Sequence, residues 1–187
     1  MNGLKLISRG TVSFDLERVY DHCKANSDEY SLVQFYLSAA ILACENELQS
    51  PIVTSVWELN RSCWESPVSL GKGTVSAINS VKYYDVDAVQ QTVSSSLYRS
   101  LNFVVPCQVE FTQDFTQPTL DDRLYPIVIN FSAGYSASAD IPSHIFHAVL
   151  LETVDRYENR QNEAANITIA MFSNNAKQLL ASESLWL

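Results

Sequence analysis

Two histidines three residues apart, His144 and His147, are the arrangement in this chain with the most obvious capacity for chemistry. On a helix such a pair shares a face, and two imidazoles joined by a carboxylate make a common zinc donor set. Asp155 falls on the same side, but two turns beyond His147, about 12 Å along the axis, too far to complete the set. That face also lies opposite the apolar stripe of the same helix, so exposed or interface histidines are expected rather than ligands. His22 stands between Asp21 and Cys23, yet adjacent helical residues point apart and cannot share a proton. No G-x-S-x-G or S-x-x-K occurs. Gly71-Lys72-Gly73-Thr74 lacks the upstream loop of a phosphate cradle. Cys23, Cys44, Cys63 and Cys107 are widely spaced without a C-x-x-C pair, as expected of reduced thiols in an intracellular protein. No catalytic residue, metal or cofactor is expected; a small metal-dependent enzyme using His144 and His147 is the enzymatic alternative.

The element carrying the histidine pair has recognisable limits. Asp140 is placed to cap a helix and Pro142 to occupy its first turn. Phe146, Val149, Leu150, Thr153, Val154 and Tyr157 make one broad apolar face. Glu152 precedes Arg156 by four residues, the favourable order for a surface pair, and Arg156 and Arg160 suit the C-terminal end of the dipole. Upstream, Ile127, Ile129 and Phe131 alternate with Val128, Asn130 and Ser132 as in a half-buried strand. Gly134 in Ala133-Gly134-Tyr135 permits a turn that other residues resist.

The remainder of the chain reads as follows. Residues 1–26 hold a short first helix capped by Ser13, with Phe14, Leu16, Val19, Tyr20 and Cys23 as its apolar side. Ser27 caps a long second helix with Asp28 and Glu29 in its first turn. Its apolar positions are Tyr30, Val33, Leu37, Ala40, Ile41, Cys44 and Leu48, and Pro51 ends it. Glu45 and Glu47 occupy the dipole's unfavourable end. Ile52–Leu59 alternates as a strand, and Val81–Tyr84 and Val89–Val93 flank a hairpin turn at Asp85–Ala88. Val105–Phe111 reads as another strand, with Pro106 marking an edge because it cannot donate to a ladder. Residues 64–72 and 112–123 are long polar loops. The Asn-rich stretch after residue 160 leads to a last helical piece, Asn175–Ser182, and an apolar end, Leu185-Trp186-Leu187.

This order predicts an α+β fold. A helical core of two N-terminal helices (1–51) and the helix after the A-G-Y turn (140–160) carries an inserted antiparallel β region (52–135). A tail (161–187) ends in a short helix, all within one domain of 187 residues. The net charge of −9 argues against gripping nucleic acid through phosphates. No basic residue occurs between Lys24 and Arg61. No stretch approaches a membrane span and no signal peptide is expected.

Several segments together carry a resemblance. They are the strand with Trp57, the V-x-x-I-x-x-V rhythm of Val75, Ile78 and Val81, then Tyr83-Tyr84-Asp85 and Tyr98-Arg99. The A-G-Y turn, Asp140-Ile141-Pro142 and Tyr157-Glu158-Asn159-Arg160 follow. In this order they resemble the head–tail connector (adaptor) proteins of long-tailed double-stranded DNA bacteriophages. Where such relatives have a Pro-rich step before the V-x-x-I-x-x-V region, only Pro67 stands here. The resemblance implies a ring of about twelve copies in the virion neck, assembled in the host cytoplasm and docked on the portal. It also implies a stopper or tail-completion protein below the ring, and genomic DNA passing through it without sequence-specific binding. A stopper or tail-completion protein is the alternative role for this chain. Asp28, Glu29, Glu45 and Glu47 are expected as an acidic channel surface that repels phosphate. Leu179, Leu180, Leu185, Trp186 and Leu187 are expected as partner-binding residues.

Overall fold

The computed structural model describes residues 3–11, 14–159 and 173–184. The fold is α+β, as expected, and the chain divides into two compact units. One comprises Met1–Thr11 and Val53–Gly134; the other comprises Val12–Ile52 and Tyr135–Leu187.

The first unit is all β apart from a short 3-10 turn. Its strands are β1 (Gly3–Arg9), β2 (Ser55–Arg61), β3 (Val68–Ser69), β4 (Val75–Tyr84), β5 (Gln90–Thr92), β6 (Tyr98–Leu101), β7 (Gln108–Phe111) and β8 (Ile127–Ala133). Five make an antiparallel sheet in the order β1-β2-β8-β4-β5, and three make a second in the order β3-β7-β6. β8 is central because its inward positions, Ile127, Ile129, Phe131 and Ala133, are all buried. They meet Val68 of β3, Val109 and Phe111 of β7, and Leu59 and Val81 in one apolar core. The two segments expected as polar loops reach that core through single side chains, Val68 and Leu70 from the first, which also contains β3, and Phe115 and Leu120 from the second. Trp64 packs edge-on against Phe111 at 5.4 Å and Phe115 at 5.0 Å, and its indole N–H donates to Pro118 O at 3.1 Å.

The predicted hairpin is present. Asp85 N donates to Val89 O and Ala88 N to Asp85 O, while Asp85 Oδ1 accepts from the backbone N–H of Asp87 and Val89. Two expectations are corrected. Residues 3–9, read only as a lead-in to the first helix, form β1, which pairs with β2 from Gly3↔Asn60 to Arg9↔Ser55. Pro106 does not mark an edge: β7 is the middle strand of its sheet, and Pro106 lies before its first residue.

The second unit is helical: α1 (Leu16–Cys23), α2 (Tyr30–Leu48), α3 (Ser143–Glu158) and α4 (Asn174–Ser184). The apolar positions expected of α2 are buried except Tyr30, which stacks on Tyr20 at 3.7 Å. The caps differ from expectation. Asp15, whose Oδ1 accepts from Arg18 N at 3.2 Å, caps α1, and Ser13 lies outside the described residues. Ser27–Glu29 form a 3-10 turn leading into α2 without a side-chain cap. Gln49, in the left-handed conformation with φ 54°, ends α2 ahead of Pro51. Asp140 belongs to a separate 3-10 turn and accepts from the Ser136 hydroxyl at 3.1 Å, so α3 begins directly after Pro142. α3 packs against α1, α2 and α4, which is why it buries Ile145 and Ala148 in addition to the expected Phe146, Val149, Leu150, Thr153 and Tyr157, while Val154 is only half-buried.

Candidate interaction surfaces

The two histidines of α3 differ in their surroundings. His147 is exposed and His144 half-buried, with buried Ile145 and Phe146 between them. Asp155 is occupied locally, its Oδ1 accepting from Asn159 Nδ2 at 2.9 Å. The neighbour of His147 is instead His22 of α1, with ring centroids 6.4 Å apart and nearly perpendicular. Both line an open groove of about 1010 Å³ together with Asp15, Arg18, Asp21 and Phe146. Sequence reasoning weighed His22 only against its chain neighbours; the α1–α3 packing that joins it to His147 spans 125 positions of chain and leaves no local signal. Among the described residues, no three His, Cys, Asp or Glu side chains gather as a metal site.

The C-terminal partner set divides. Leu180 is fully buried and Leu179 half-buried, because α4 packs on both α2 and α3. Ser173 N donates to Glu152 Oε2 at 3.1 Å just before α4, and Lys177 pairs with Glu47 at 3.4 Å along it. Leu180 is therefore core and not, as expected, a partner-binding residue. Leu185, Trp186 and Leu187 lie outside the described residues.

The acidic set divides as well. Asp28 is exposed. Glu29 accepts from the Tyr157 hydroxyl at 2.6 Å, and Glu47 has its pair with Lys177. Glu45 is buried, its Oε1 accepting from Ile52 N at 2.8 Å, and so is not a surface group. This bond satisfies the backbone just past α2 and explains a carboxylate at the dipole's unfavourable end. Glu152, expected in a surface pair, keeps its Arg156 partner at 2.7 Å but is only 2% exposed.

Among the described residues, exposed apolar side chains are spread over several elements; Phe103 at 84% and Leu124 at 70% are the most exposed, and three further places carry two or more. α2 carries no charged residue from Tyr30 to Cys44, and there Phe35 is 67% and Leu42 50% exposed. β1 exposes Leu4, Leu6 and Ile7. The β4–β5 turn exposes Val86 at 64% and Val89 at 52%.

This fold has solved counterparts. A chain from the "Virion of native gene transfer agent (GTA) particle" superposes with a TM-score of 0.72 and 19% identity, covering 98% of this chain and 94% of that one. Chains from the "Neck of empty GTA particle computed with C6 symmetry" and the "Neck of native GTA particle computed with C12 symmetry" give TM-scores of 0.70 and 0.69. Identity is 19% for both; coverage is 95% and 97% of this chain and 94% of each counterpart. At this identity the likeness is one of fold. No protein-family model matches the chain, and no curated protein matches it. Among the described residues, no helix is long and apolar enough to cross a membrane.

Proposed function

We propose that this chain is a structural neck protein of a phage-like particle, an adaptor that forms a ring between the portal of the DNA-filled head and the tail. The observation that carries the proposal is the whole-length fold likeness to chains of gene transfer agent necks treated with six-fold and twelve-fold symmetry. The connector-like order of motifs in the sequence supports it independently. Exposed apolar side chains grouped on α2, β1 and the β4–β5 turn supply contact area of the kind assembly needs. In this reading the partners are further copies of the chain, the portal, and a stopper or tail-completion protein below. DNA passes the ring without sequence-specific binding, kept from adhering by the net charge of −9, to which Asp28 contributes at the surface. The chain catalyses nothing, and its place is the virion neck after assembly in the host cytoplasm. The apolar end Leu185-Trp186-Leu187 is proposed as a docking anchor.

The test is genetic and microscopic. Disrupting the reading frame should leave DNA-filled heads without tails, and supplying the chain in trans should restore tailed particles. Cryo-electron microscopy of complete particles should then show density for this fold directly beneath the portal. Normal tailed particles in the disrupted strain, or density for the chain outside the neck, would overturn the proposal.

A further inference from the structure

Among the described residues, the five-stranded sheet ends in two strands of unlike chemistry, β1 and β5. At one edge β1 offers a full strand whose outward backbone groups face no other strand among the described residues. Along it Leu4, Leu6 and Ile7 are exposed, and its charged residues are Lys5 and Arg9, with no carboxylate between Gly3 and Arg9. A long, apolar edge strand of this kind is a template for pairing unless it is covered.

At the opposite edge stand β5, just three residues long, and the β4–β5 turn with its exposed Val86 and Val89. This edge is acidic. Asp85 and Asp87 lie in the turn, Asp87 exposed, and Asp121 N donates to Tyr84 O at 3.0 Å from the β8 side of β4, so Asp121 and Asp122 stand near the turn and not along β5. The cations there are already engaged or set back. Arg123 pairs with Asp121 at 2.8 Å and stacks over Tyr84, and Lys82 is half-buried.

From these two edges we infer that the neighbouring copies in an assembly meet edge to edge, β1 of one copy against the β4–β5 hairpin of the next. The occupant of the β1 edge is thus a second copy of this chain. Charge complementarity selects it: pairing β1 with another β1 would oppose Lys5 and Arg9 to themselves, and pairing two hairpins would oppose two acidic turns. Joining unlike edges is a heterologous contact, which propagates and closes into a ring when the rotation per copy allows. The inference rests on the ring reading given above and deepens it by naming the contact.

The test uses the full chain, in particles from producing cells and as concentrated purified protein. In a Cys63→Ser background, which removes the exposed native thiol, the variant Ile7→Cys/Val89→Cys is oxidised. A ladder of disulfide-linked species beyond the dimer is expected, with neither single variant giving one. Charge reversal supplies a second arm. Lys5→Glu and Asp87→Lys should each raise the concentration needed for assembly by about tenfold at low salt, and combining them should restore it. Lys5 and Asp87 are both exposed, so unchanged melting temperatures will show that the fold survives. Rings visible by microscopy with neither ladder nor rescue overturn the edge contact and leave the ring reading standing. Absence of rings, and of the chain from particle necks, overturns both.

Discussion

Gly134 shows what a single residue contributes here. It has φ 99°, and a Cβ built on it would lie 2.5 Å from Val53 O, so a side chain meets both a disfavoured backbone and a fixed carbonyl. Gly134→Ala should destabilise the β unit by about 2 kcal/mol or more, read as a lowered melting temperature; an unchanged value would mean the turn relaxes freely. The turn at this residue was legible in the sequence because a positive φ is a local demand, whereas the close approach of the Val53 carbonyl, far away in the chain, was not. The burial of Glu152 was not, because an i, i+4 spacing fixes its partner and says nothing of α4 arriving from the far side. Three of the four cysteines are buried. Burial pushes the Cys44 thiol from 9.0 up to about 12, with the Glu152 carboxylate adding to it, and burial also raises Cys23 and Cys107. Native protein should therefore present one fast-reacting thiol to a disulfide reagent, Cys63, and all four once denatured. Alkali carries a matching cost. The folded chain holds the Cys44 proton up to about 12 while the unfolded chain releases it near 9.0, so stability is full below pH 9 and falls as pH rises through that window. Rapid labelling of four thiols under native conditions would contradict this burial.

At the scale of elements, the sequence was legible where periodicity is long or turn chemistry strong. α2 and α3 announced themselves by three-and-four spacing, and the β4–β5 hairpin by its Asp-rich turn. β1 was missed because its alternation spans only Leu4, Lys5 and Leu6 before a bulge at Leu6/Ser8, and its stability comes from pairing with β2, some fifty residues on. Pro106 misled because the strand starts after it. α4 was expected as an element but not as core. Its Leu180 is fully buried against the helices it packs on, so Leu180→Ala should cost about 2–5 kcal/mol. Phe35→Ser and Leu42→Ser on the exposed face of α2 should move monomer stability by only about 0.5 kcal/mol. Chemical denaturation of the three variants decides the matter: if Leu180→Ala is as mild as the α2 pair, α4 is not integral to its unit.

The whole molecule combines a fold class that its order of elements announced with sheet edges that it did not. The α+β class followed from runs of helix, strand and helix. The unlike edges of the five-stranded sheet did not follow, because edge position depends on strand order and not on strand sequence. Where α4 stops decides how attachment can be tested. The helix reaches Ser184, and Leu180 anchors it within the helical unit. A truncation meant to test docking must spare it, so the informative deletion removes only residues 185–187. An indole entering a partner pocket can contribute ~2 kcal/mol or more per copy, and a ring multiplies that contribution through avidity once one subunit is held. Deleting Leu185, Trp186 and Leu187 should accordingly leave circular dichroism and melting temperature nearly unchanged while abolishing attachment to filled heads, and Trp186→Phe should retain part of it. A truncated chain that still completes tailed particles would show that the apolar end is dispensable. A truncated chain that melts early would show that these residues, like Leu180, belong to the core.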